Sequence, residues 1–149
     1  MFAGYWRDAE KTRGAFTADG WFKTGDLGRI DPSGFVHIVG RAKDLVISGG
    51  YNVYPREVEA ELDAVPGVLE SAVFGVPHPD FGEGVSAAVV RKPGAALTEI
   101  GLIDAVRASL AAYKIPKRVV FVEELPRNAL GKVQKSALRA AYRSLYTPD

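Results

Sequence analysis

The sequence contains no cysteine and only two histidines among its 149 residues. Without cysteine, the chain has no disulfides, no thiolate metal sites and no cysteine nucleophile. His37 and His78 lie too far apart in sequence for the spacing of a zinc site. No apolar run approaches the ~20 residues of a membrane-spanning helix, and the N-terminus lacks an apolar signal segment. We therefore expect a cytoplasmic protein without a membrane partner.

The chain also lacks an excess of either charge. It has 19 Lys and Arg against 18 Asp and Glu, a formal net charge of +1. No global field therefore favours nucleic acid, and any anion must be bound by a local cluster of cations. The hydrophobic fraction of 47% and the charged fraction of 25% are ordinary for a soluble globular protein.

Two regions of different character divide the chain. The first 40 residues are rich in aromatics and glycine but have weak hydrophobic periodicity, whereas an ordered pattern begins at Asp44. We therefore predict that residues 1–42 are the β-rich tail of one domain and residues 43–149 form a second, small domain. The elements predicted in the first region are a short helix over 8–16 and a hairpin with strands 27–31 and 35–39 around Asp31-Pro32-Ser33-Gly34.

In the second region the predicted order is hairpin, helix, strand, strand, helix, strand, helix. The predicted elements are a hairpin over 45–54 that turns at Gly49-Gly50, a helix from Pro55, strands 69–76 and 85–91, a helix capped by Thr98, a strand over 117–125 and a helix over 135–145. The predicted buried side chains on the helices are Val58, Leu62, Val65, Ile100, Ile103, Val106, Leu110, Leu138, Ala141, Tyr142 and Leu145. This order predicts an α+β domain with helices on a roughly three-stranded sheet, plus the hairpin.

The stretch GWFKTGDLG, residues 20–28, places Asp26 between glycines in a turn that leads into a strand. A carboxylate there can accept two hydrogen bonds from a vicinal diol such as a ribose. The alternative is that Asp26 orders its own turn, as aspartates often do.

The stretch GRAKDLVISGGYNVYPREVE, residues 40–59, begins at the predicted joint between the two domains. Arg41 and Lys43 flank this joint, and Gly49-Gly50 allow a ligand to approach the backbone closely. The alternative is a solvated basic pair followed by an ordinary hairpin turn.

The stretch PRNALGKVQK, residues 126–135, carries Lys132 on a loop before the last helix. A lysine ammonium is a compact, mobile charge suited to phosphate oxygens. Gly131 would give the loop freedom to deliver it. The alternative is a solvated lysine close to a helix.

Together, and in this order, the three stretches resemble the C-terminal signatures of the adenylate-forming superfamily, which includes acyl- and aryl-CoA synthetases, luciferases and peptide-synthetase adenylation domains. GWFKTGDLG is similar to the Gly-Trp/Tyr-x-x-Thr-Gly-Asp element, GRAKDLVISGG to the hinge element, and PRNALGKVQK to the Pro-x-x-x-x-Gly-Lys element. The resemblance covers nearly the whole chain. Three stretches, KDLVISGGYNVYPREVE, GVPHPDFGEGV and LPRNALGKVQK, most resemble those of malonyl-CoA synthetases and related acyl-CoA ligases.

The resemblance implies a C-terminal lid domain, an AMP-binding enzyme C-terminal domain, preceded by a remnant of the large N-terminal domain that is its partner. Such an AMP-forming acid–thiol ligase adenylates a carboxylic acid with MgATP and transfers the acyl group to CoA after the lid rotates. The acid expected here is malonate or methylmalonate, in fatty acid metabolism, and Mg would be held mainly by the large domain. Alternatives are a medium- or long-chain or aryl-CoA ligase, a peptide-synthetase adenylation domain, or an interaction module with decayed motifs.

The resemblance also implies roles for the first group of site residues. Asp26 would bind the ribose hydroxyls, and Arg41 the ribose or phosphate region of ATP or AMP. Lys132 would bridge the incoming carboxylate and the α-phosphate, and Lys43 would be the hinge residue. Lys132 would also be a substrate of a lysine acetyltransferase and a deacylase, because acetylation removes its charge.

The remaining expected site binds CoA. Ser48, Gly49 and Gly50 would line the path of the pantetheine arm. The residues expected around the adenine and the phosphates are Phe81, Tyr113, Lys114, Lys117 and Arg118. The alternative for residues 111–118 is an ordinary polar helix end with a buried tyrosine. Because no phosphate loop and no acyl pocket are found, we expect the chain alone to turn over no substrate.

Overall fold

The computed structural model describes residues 2–147 of the chain. The chain forms two compact units, Met1–Lys43 and Asp44–Asp149. None of the described helices is long and apolar enough to cross a membrane.

The first unit contains one short helix and one hairpin. Helix α1 (Ala9–Ala15) begins after Asp8, whose side chain accepts a hydrogen bond from Lys11 N at 2.9 Å. Strands β1 (Asp26–Ile30) and β2 (Val36–Arg41) pair antiparallel. The Asp31 side chain orders the turn between them by accepting from two backbone amides, and Gly34 has a positive φ of 87°. The predicted helix and hairpin are therefore confirmed.

The second unit follows the predicted order of elements. They are β3 (Val46–Ser48), β4 (Tyr51–Val53), α2 (Pro55–Asp63), β5 (Val68–His78), β6 (Gly82–Arg91), α3 (Glu99–Val106), β7 (Arg118–Phe121) and α4 (Lys135–Ala141). Pro55 opens α2, and the Thr98 hydroxyl caps α3 by accepting from Gly101 N at 3.1 Å. Both roles agree with the local sequence signals.

Strand β6 is the centre of a five-stranded sheet. It pairs antiparallel with β5 along its whole length and parallel with β7. The β3–β4 hairpin joins this sheet through a single register pair, Ser48↔Gly82. The predicted three-stranded sheet and hairpin thus form one continuous sheet.

Helices cover both faces of this sheet. The side chains on both faces of β5 and β6 are therefore mostly buried, which explains why these strands contain few polar residues. One core cluster combines the α2 and α3 side chains Val58, Leu62, Leu102 and Val106 with sheet residues including Val73 and Val85. A second cluster on the opposite face combines Leu138 of α4 with sheet residues including Ala72, Phe74 and Val76.

Three details of the sequence prediction were wrong. Ile100 is 73% exposed, and Leu102 is buried in its place, because these positions lie about 200° apart around a helix. Ala141 is exposed, since α4 ends there and the chain then turns. The strand predicted over 117–125 is only four residues long, Arg118–Phe121.

The segment after α4 contributes a side chain that the sequence did not reveal. The Tyr146 hydroxyl lies 2.9 Å from Ser86 Oγ and 3.2 Å from the Val85 carbonyl oxygen. A Cβ atom on Gly84 would lie only 2.3 Å from the Tyr146 ring. Glycine at position 84 therefore makes room for this tyrosine.

Candidate functional site

Asp26 and Arg41 lie together in the first unit. The β1–β2 register places them opposite each other, and Arg41 Nε is 2.7 Å from Asp26 Oδ1. Arg41 also donates to the Thr24 carbonyl oxygen at 3.1 Å. The hydrogen bond within the turn before β1 is made by the Thr24 hydroxyl, which accepts from Asp26 N at 3.1 Å. The Asp26 carboxylate does not make this bond. The pair therefore combines a carboxylate that accepts hydrogen bonds with a guanidinium that donates them.

Lys132 lies at the surface of the second unit on a tight turn. Its side chain is exposed, and its ammonium makes no ion pair or hydrogen bond with any residue in the range 2–147. The Asn128 side-chain oxygen accepts from Leu130 N and from Lys132 N, both at 3.0 Å. Asn128 N in turn donates to the Lys132 carbonyl oxygen at 3.0 Å.

Gly131 shapes the turn that precedes Lys132. Its N donates to the Asn128 carbonyl oxygen at 2.9 Å, and its φ of 75° is a turn conformation that glycine adopts readily. The base of the loop is closed by a bridge between Arg127 and Val133. These hydrogen bonds and this bridge define the shape of the turn that carries the exposed Lys132 side chain.

Ser48, Gly49 and Gly50 form the end of the β3–β4 hairpin. The φ angles of Gly49 and Gly50 are 58° and 81°, as a two-residue type I′ turn requires. Gly49 N donates to the Phe81 carbonyl oxygen at 2.9 Å, and Ser48 is buried. The exposed Gly49 therefore lies directly beside Phe81, and the space around Gly50 is open.

Phe81 and Lys117 are also in contact. The Lys117 ammonium lies 3.9 Å from the centre of the Phe81 ring, which is a cation–π contact. The His78 ring lies 4.8 Å from the same ring. The structure thus brings Gly49, Phe81 and Lys117 together, although they are distant in sequence.

Tyr113 contacts the same hairpin through Tyr51 of β4, not through Phe81. Its ring stacks on Tyr51 with the centroids 4.7 Å apart and an angle of 26° between the planes. Tyr51 is 58% exposed, so it presents the accessible ring of this pair. Sequence reasoning missed Tyr51, although its position directly after Gly49-Gly50 was a usable signal.

The two other cations expected near CoA have protein partners. Lys114 pairs with Glu57, and this hydrogen bond raises the pKa of Lys114. Arg118 Nε lies 3.0 Å from Glu99 Oε1. Lys117 is therefore the cation of this group best able to meet an added anion.

Lys43 is exposed at the end of the first unit, in the short 3₁₀ helix Ala42–Asp44. The adjoining Asp44 begins the second unit, where its carboxylate accepts from Arg139 of α4 at 3.2 Å. Among the described residues, no group of three or more His, Asp or Glu side chains is placed to hold a metal ion.

A family model for the AMP-binding enzyme C-terminal domain matches residues 57–132. The chain belongs to this family. The family match ends at Lys132, and Asp26 and Arg41 lie before its first residue, at position 57. The resemblance predicted from the three motifs and the predicted fold class are thereby confirmed.

Similar proteins of this family are acyl-CoA ligases. The chain is 46% identical over 138 residues to a long-chain-fatty-acid–CoA ligase of Mycobacterium tuberculosis, covering 93% of this chain and 27% of that protein. It is 50% identical over 139 residues to a 3-[(3aS,4S,7aS)-7a-methyl-1,5-dioxo-octahydro-1H-inden-4-yl]propanoyl:CoA ligase of Rhodococcus jostii, with the same coverage. The chain thus spans little more than a quarter of the length of these relatives.

A solved structure of this family has nearly the same fold. The crystal structure of ATP-bound MatB from Rhodopseudomonas palustris is 58% identical, with a TM-score of 0.92. The match covers 99% of this chain and 29% of MatB.

Proposed function

We propose that this chain is the C-terminal part of an AMP-forming acyl-CoA ligase and that its second unit is the lid. In the first half-reaction a carboxylate oxygen attacks the α-phosphorus of ATP, giving an acyl-adenylate and pyrophosphate. In the second, the CoA sulfur attacks the acyl carbon and AMP leaves with the bonding electron pair. The observation that carries the proposal is the exposed Lys132 ammonium, without a protein partner among residues 2–147, on a turn of fixed shape.

Lys132 acts in the first half-reaction. Negative charge gathers where the carboxylate meets the α-phosphate, and a positioned ammonium neutralises it and aligns the two groups. An ammonium already paired with a protein carboxylate would have to break that pair first. The exposure of Lys132 supports this role, because no such pair is made with the described residues.

Asp26 and Arg41 hold the nucleotide in this proposal. Ribose hydroxyls donate to the Asp26 carboxylate, and Arg41 keeps that carboxylate oriented through the 2.7 Å contact. The Arg41 guanidinium carries further N–H donors for a ribose or phosphate oxygen. The pairing of the two residues within one hairpin supports a shared role.

The second half-reaction uses a different surface of the lid. We propose that the lid turns about Lys43, so that the Ser48-Gly49-Gly50 turn meets the pantetheine arm of CoA. The glycines leave room for the arm, and Phe81 with Lys117 offers a ring and a cation for the adenine and a phosphate. Tyr51, stacked on Tyr113, extends this aromatic surface.

We propose malonate or methylmalonate as the acid. The 58% identity to MatB, a malonyl-CoA synthetase, supports this choice. Long-chain and aromatic acids are the alternatives, since the relatives include a long-chain-fatty-acid–CoA ligase and a feruloyl-CoA synthase. Measuring kcat/KM for malonate, methylmalonate, palmitate and ferulate in the complete enzyme that carries this chain tests it. Higher kcat/KM for palmitate or ferulate than for both dicarboxylates would refute it.

Magnesium enters with ATP rather than through this chain. No cluster of three carboxylate or histidine side chains is found among the described residues, and Mg²⁺ is usually held by substrate phosphates, waters and only one or two carboxylates. We therefore assign its ligands to the nucleotide phosphates and to the large domain.

We further propose that a lysine acetyltransferase and a deacylase act on Lys132. The exposure of this lysine, next to a turn whose Leu130 is 80% exposed, supports access by another protein. Acetylation would remove the charge and stop adenylation. Incubating the chain with a protein acetyltransferase and mapping the label tests it. Labelling that is spread over many lysines, or absent from Lys132, would contradict it.

A graft tests the proposed function as a whole. The matching C-terminal part of MatB is replaced by residues 1–149 of this chain, which is feasible because the match covers 99% of the chain at 58% identity. We expect the graft to form an acyl-CoA from ATP, CoA and malonate, and MatB without its C-terminal part to form none. A folded graft that is no more active than the truncated protein would refute the proposal.

A further inference from the structure

Arg127 connects the Lys132 turn to the sheet. One terminal nitrogen of its guanidinium donates to the Gly131 carbonyl oxygen at 2.8 Å. The other contacts the Glu70 carboxylate in an ion pair. The Arg127 guanidinium therefore links Gly131, the residue just before Lys132, to Glu70, which lies 57 positions before Arg127 in the chain.

Glu70 lies on a part of the domain that is well anchored. It belongs to β5, where its register partner is Val90 of β6, and its side chain is 32% exposed. The flanking residues Val68 and Ala72 are buried in the two core clusters. A carboxylate at this point is a firm support for the loop.

The bonds of Asn128 cannot provide this support. Its side-chain and backbone bonds reach Leu130, Gly131 and Lys132 and so fix the shape of the turn. They do not fix where the turn lies relative to the sheet. Leu125 and Val133 hold the base of the turn by packing against the second core cluster. Beyond that base, the contact between Arg127 and Glu70 ties the turn to the sheet, and it also neutralises a second positive charge close to Lys132.

We propose that Arg127 and Glu70 are positioning residues for Lys132 and act specifically in the adenylation step. This inference rests on the proposed function of Lys132. Neither residue touches the substrate, and their effect is transmitted through the Gly131 carbonyl. Displacing a charge-stabilising group by about 1 Å can lower a rate by up to about a hundredfold, so a loosened turn has a measurable cost.

The activity test uses the MatB graft with Arg127→Gln, Glu70→Gln, the double variant and Lys132→Ala. Adenylation is followed as malonate-dependent pyrophosphate release, and thioester formation is followed separately from supplied malonyl-adenylate. We expect each single substitution to lower kcat for adenylation about tenfold, with little change in KM for ATP and no change in the thioester step. Because both residues belong to one contact, the double variant should be no slower than the slower single one.

Asp63→Asn is the matched control. Asp63 is an exposed carboxylate, and it accepts from Ser71, the neighbour of Glu70 on β5, at 2.7 Å. This substitution removes one negative charge and disturbs the same strand, but it leaves the Arg127 contact intact. We expect it to leave both half-reactions unchanged.

A second measurement does not depend on activity. Backbone order parameters from ¹⁵N relaxation are compared between the 149-residue chain and its Glu70→Gln variant. We expect order parameters of about 0.85 for residues 128–132 in the unchanged chain and a clear drop in the variant, with no drop in β5.

The outcomes separate the two proposals. Normal adenylation and unchanged order parameters in the Arg127 and Glu70 variants, together with loss of adenylation in Lys132→Ala, would overturn the positioning role alone. Equal slowing of both half-reactions would also overturn the positioning role, because it would indicate a general loss of structure rather than an effect on adenylation alone. Normal adenylation in Lys132→Ala would overturn the proposed function itself.

Discussion

One backbone angle determines how the Lys132 turn is built. Gly131 has a φ of 75°, and the space around its missing Cβ is open, so a side chain there meets no atoms but does strain the backbone. We expect Gly131→Ala to destabilise the turn by about 1 kcal/mol and to slow adenylation. Gly131→Asn should retain more activity, because asparagine tolerates this conformation better. Equal activity of the two variants, measured as pyrophosphate release, would contradict this account.

Tyr146 gives a prediction that concerns stability rather than activity. Burial raises its pKa, so the folded state holds the phenol proton more tightly than the unfolded chain, whose tyrosine pKa is about 10. This stabilisation is present below about pH 10 and is lost as the pH rises through the raised pKa.

We expect Tyr146→Phe to lower the free energy of unfolding by about 1 kcal/mol at neutral pH and to reduce its alkaline pH dependence. Urea unfolding of the chain from pH 7 to 11 measures both. Tyr5→Phe, which changes an exposed tyrosine of the first unit, is the control. The same pH profile for Tyr146→Phe and the unchanged chain would refute this prediction.

The sequence points to some residues of the proposed site and not to others. Asp26, Arg41 and Lys132 stand in short motifs whose order and spacing identify a family. Glu70 and Tyr51 do not, because the roles proposed for them arise from contacts with Arg127 and Tyr113 that form only on folding. Nothing in the local sequence indicates that Glu70 meets a residue 57 positions away.

At the scale of elements, the Glu83 carboxylate helps to hold the β3–β4 hairpin beside β6, together with the bond between Gly49 N and the Phe81 carbonyl oxygen. Only one register pair joins β3 to β6, but the Glu83 carboxylate also accepts from Ile47 N at 2.8 Å. Gly75 makes room for it, since a Cβ there would lie 2.9 Å from the Glu83 carboxyl carbon. Glu83 thus holds the turn that we propose meets the pantetheine arm.

We expect Glu83→Ala to raise KM for CoA about tenfold, roughly the effect of losing one hydrogen bond made to a charged group. Adenylation should be unaffected, because the Lys132 turn does not contact Glu83. Glu83→Gln keeps an acceptor oxygen and should be nearly normal. If Glu83→Ala slows adenylation as much as thioester formation, the hairpin-specific role is wrong.

The predicted elements were most accurate where local signals define them. The glycine pair, Pro55 and Thr98 mark a turn and two helix starts through their own backbone and hydrogen-bonding preferences. The parallel pairing of β7 with β6 has no such signal. The burial of Leu102 has no local signal either. The apolar residues of α3 lie close together in sequence, so that either of two helix faces could be the buried one.

At the scale of the whole molecule, we propose that the chain supplies contacts for catalysis to a larger enzyme, since its sequence shows no phosphate loop and no motif of an acyl pocket. We therefore expect residues 1–149 alone to release no AMP from ATP, malonate and CoA above a control without protein. The reason is that one lysine and one Asp–Arg pair cannot hold ATP and the acid together. Clear turnover by the purified chain would contradict this expectation.

The most direct test of the account is Lys132→Ala in the MatB graft, with the two half-reactions measured separately. We expect adenylation to fall by at least about a hundredfold, the scale seen when one charge-stabilising donor is removed. Transfer from supplied malonyl-adenylate to CoA should stay within about twofold of the unchanged graft, since in the proposed mechanism Lys132 meets the nucleotide only before the lid turns. Adenylation at the normal rate, or equal loss of both half-reactions, would contradict the account.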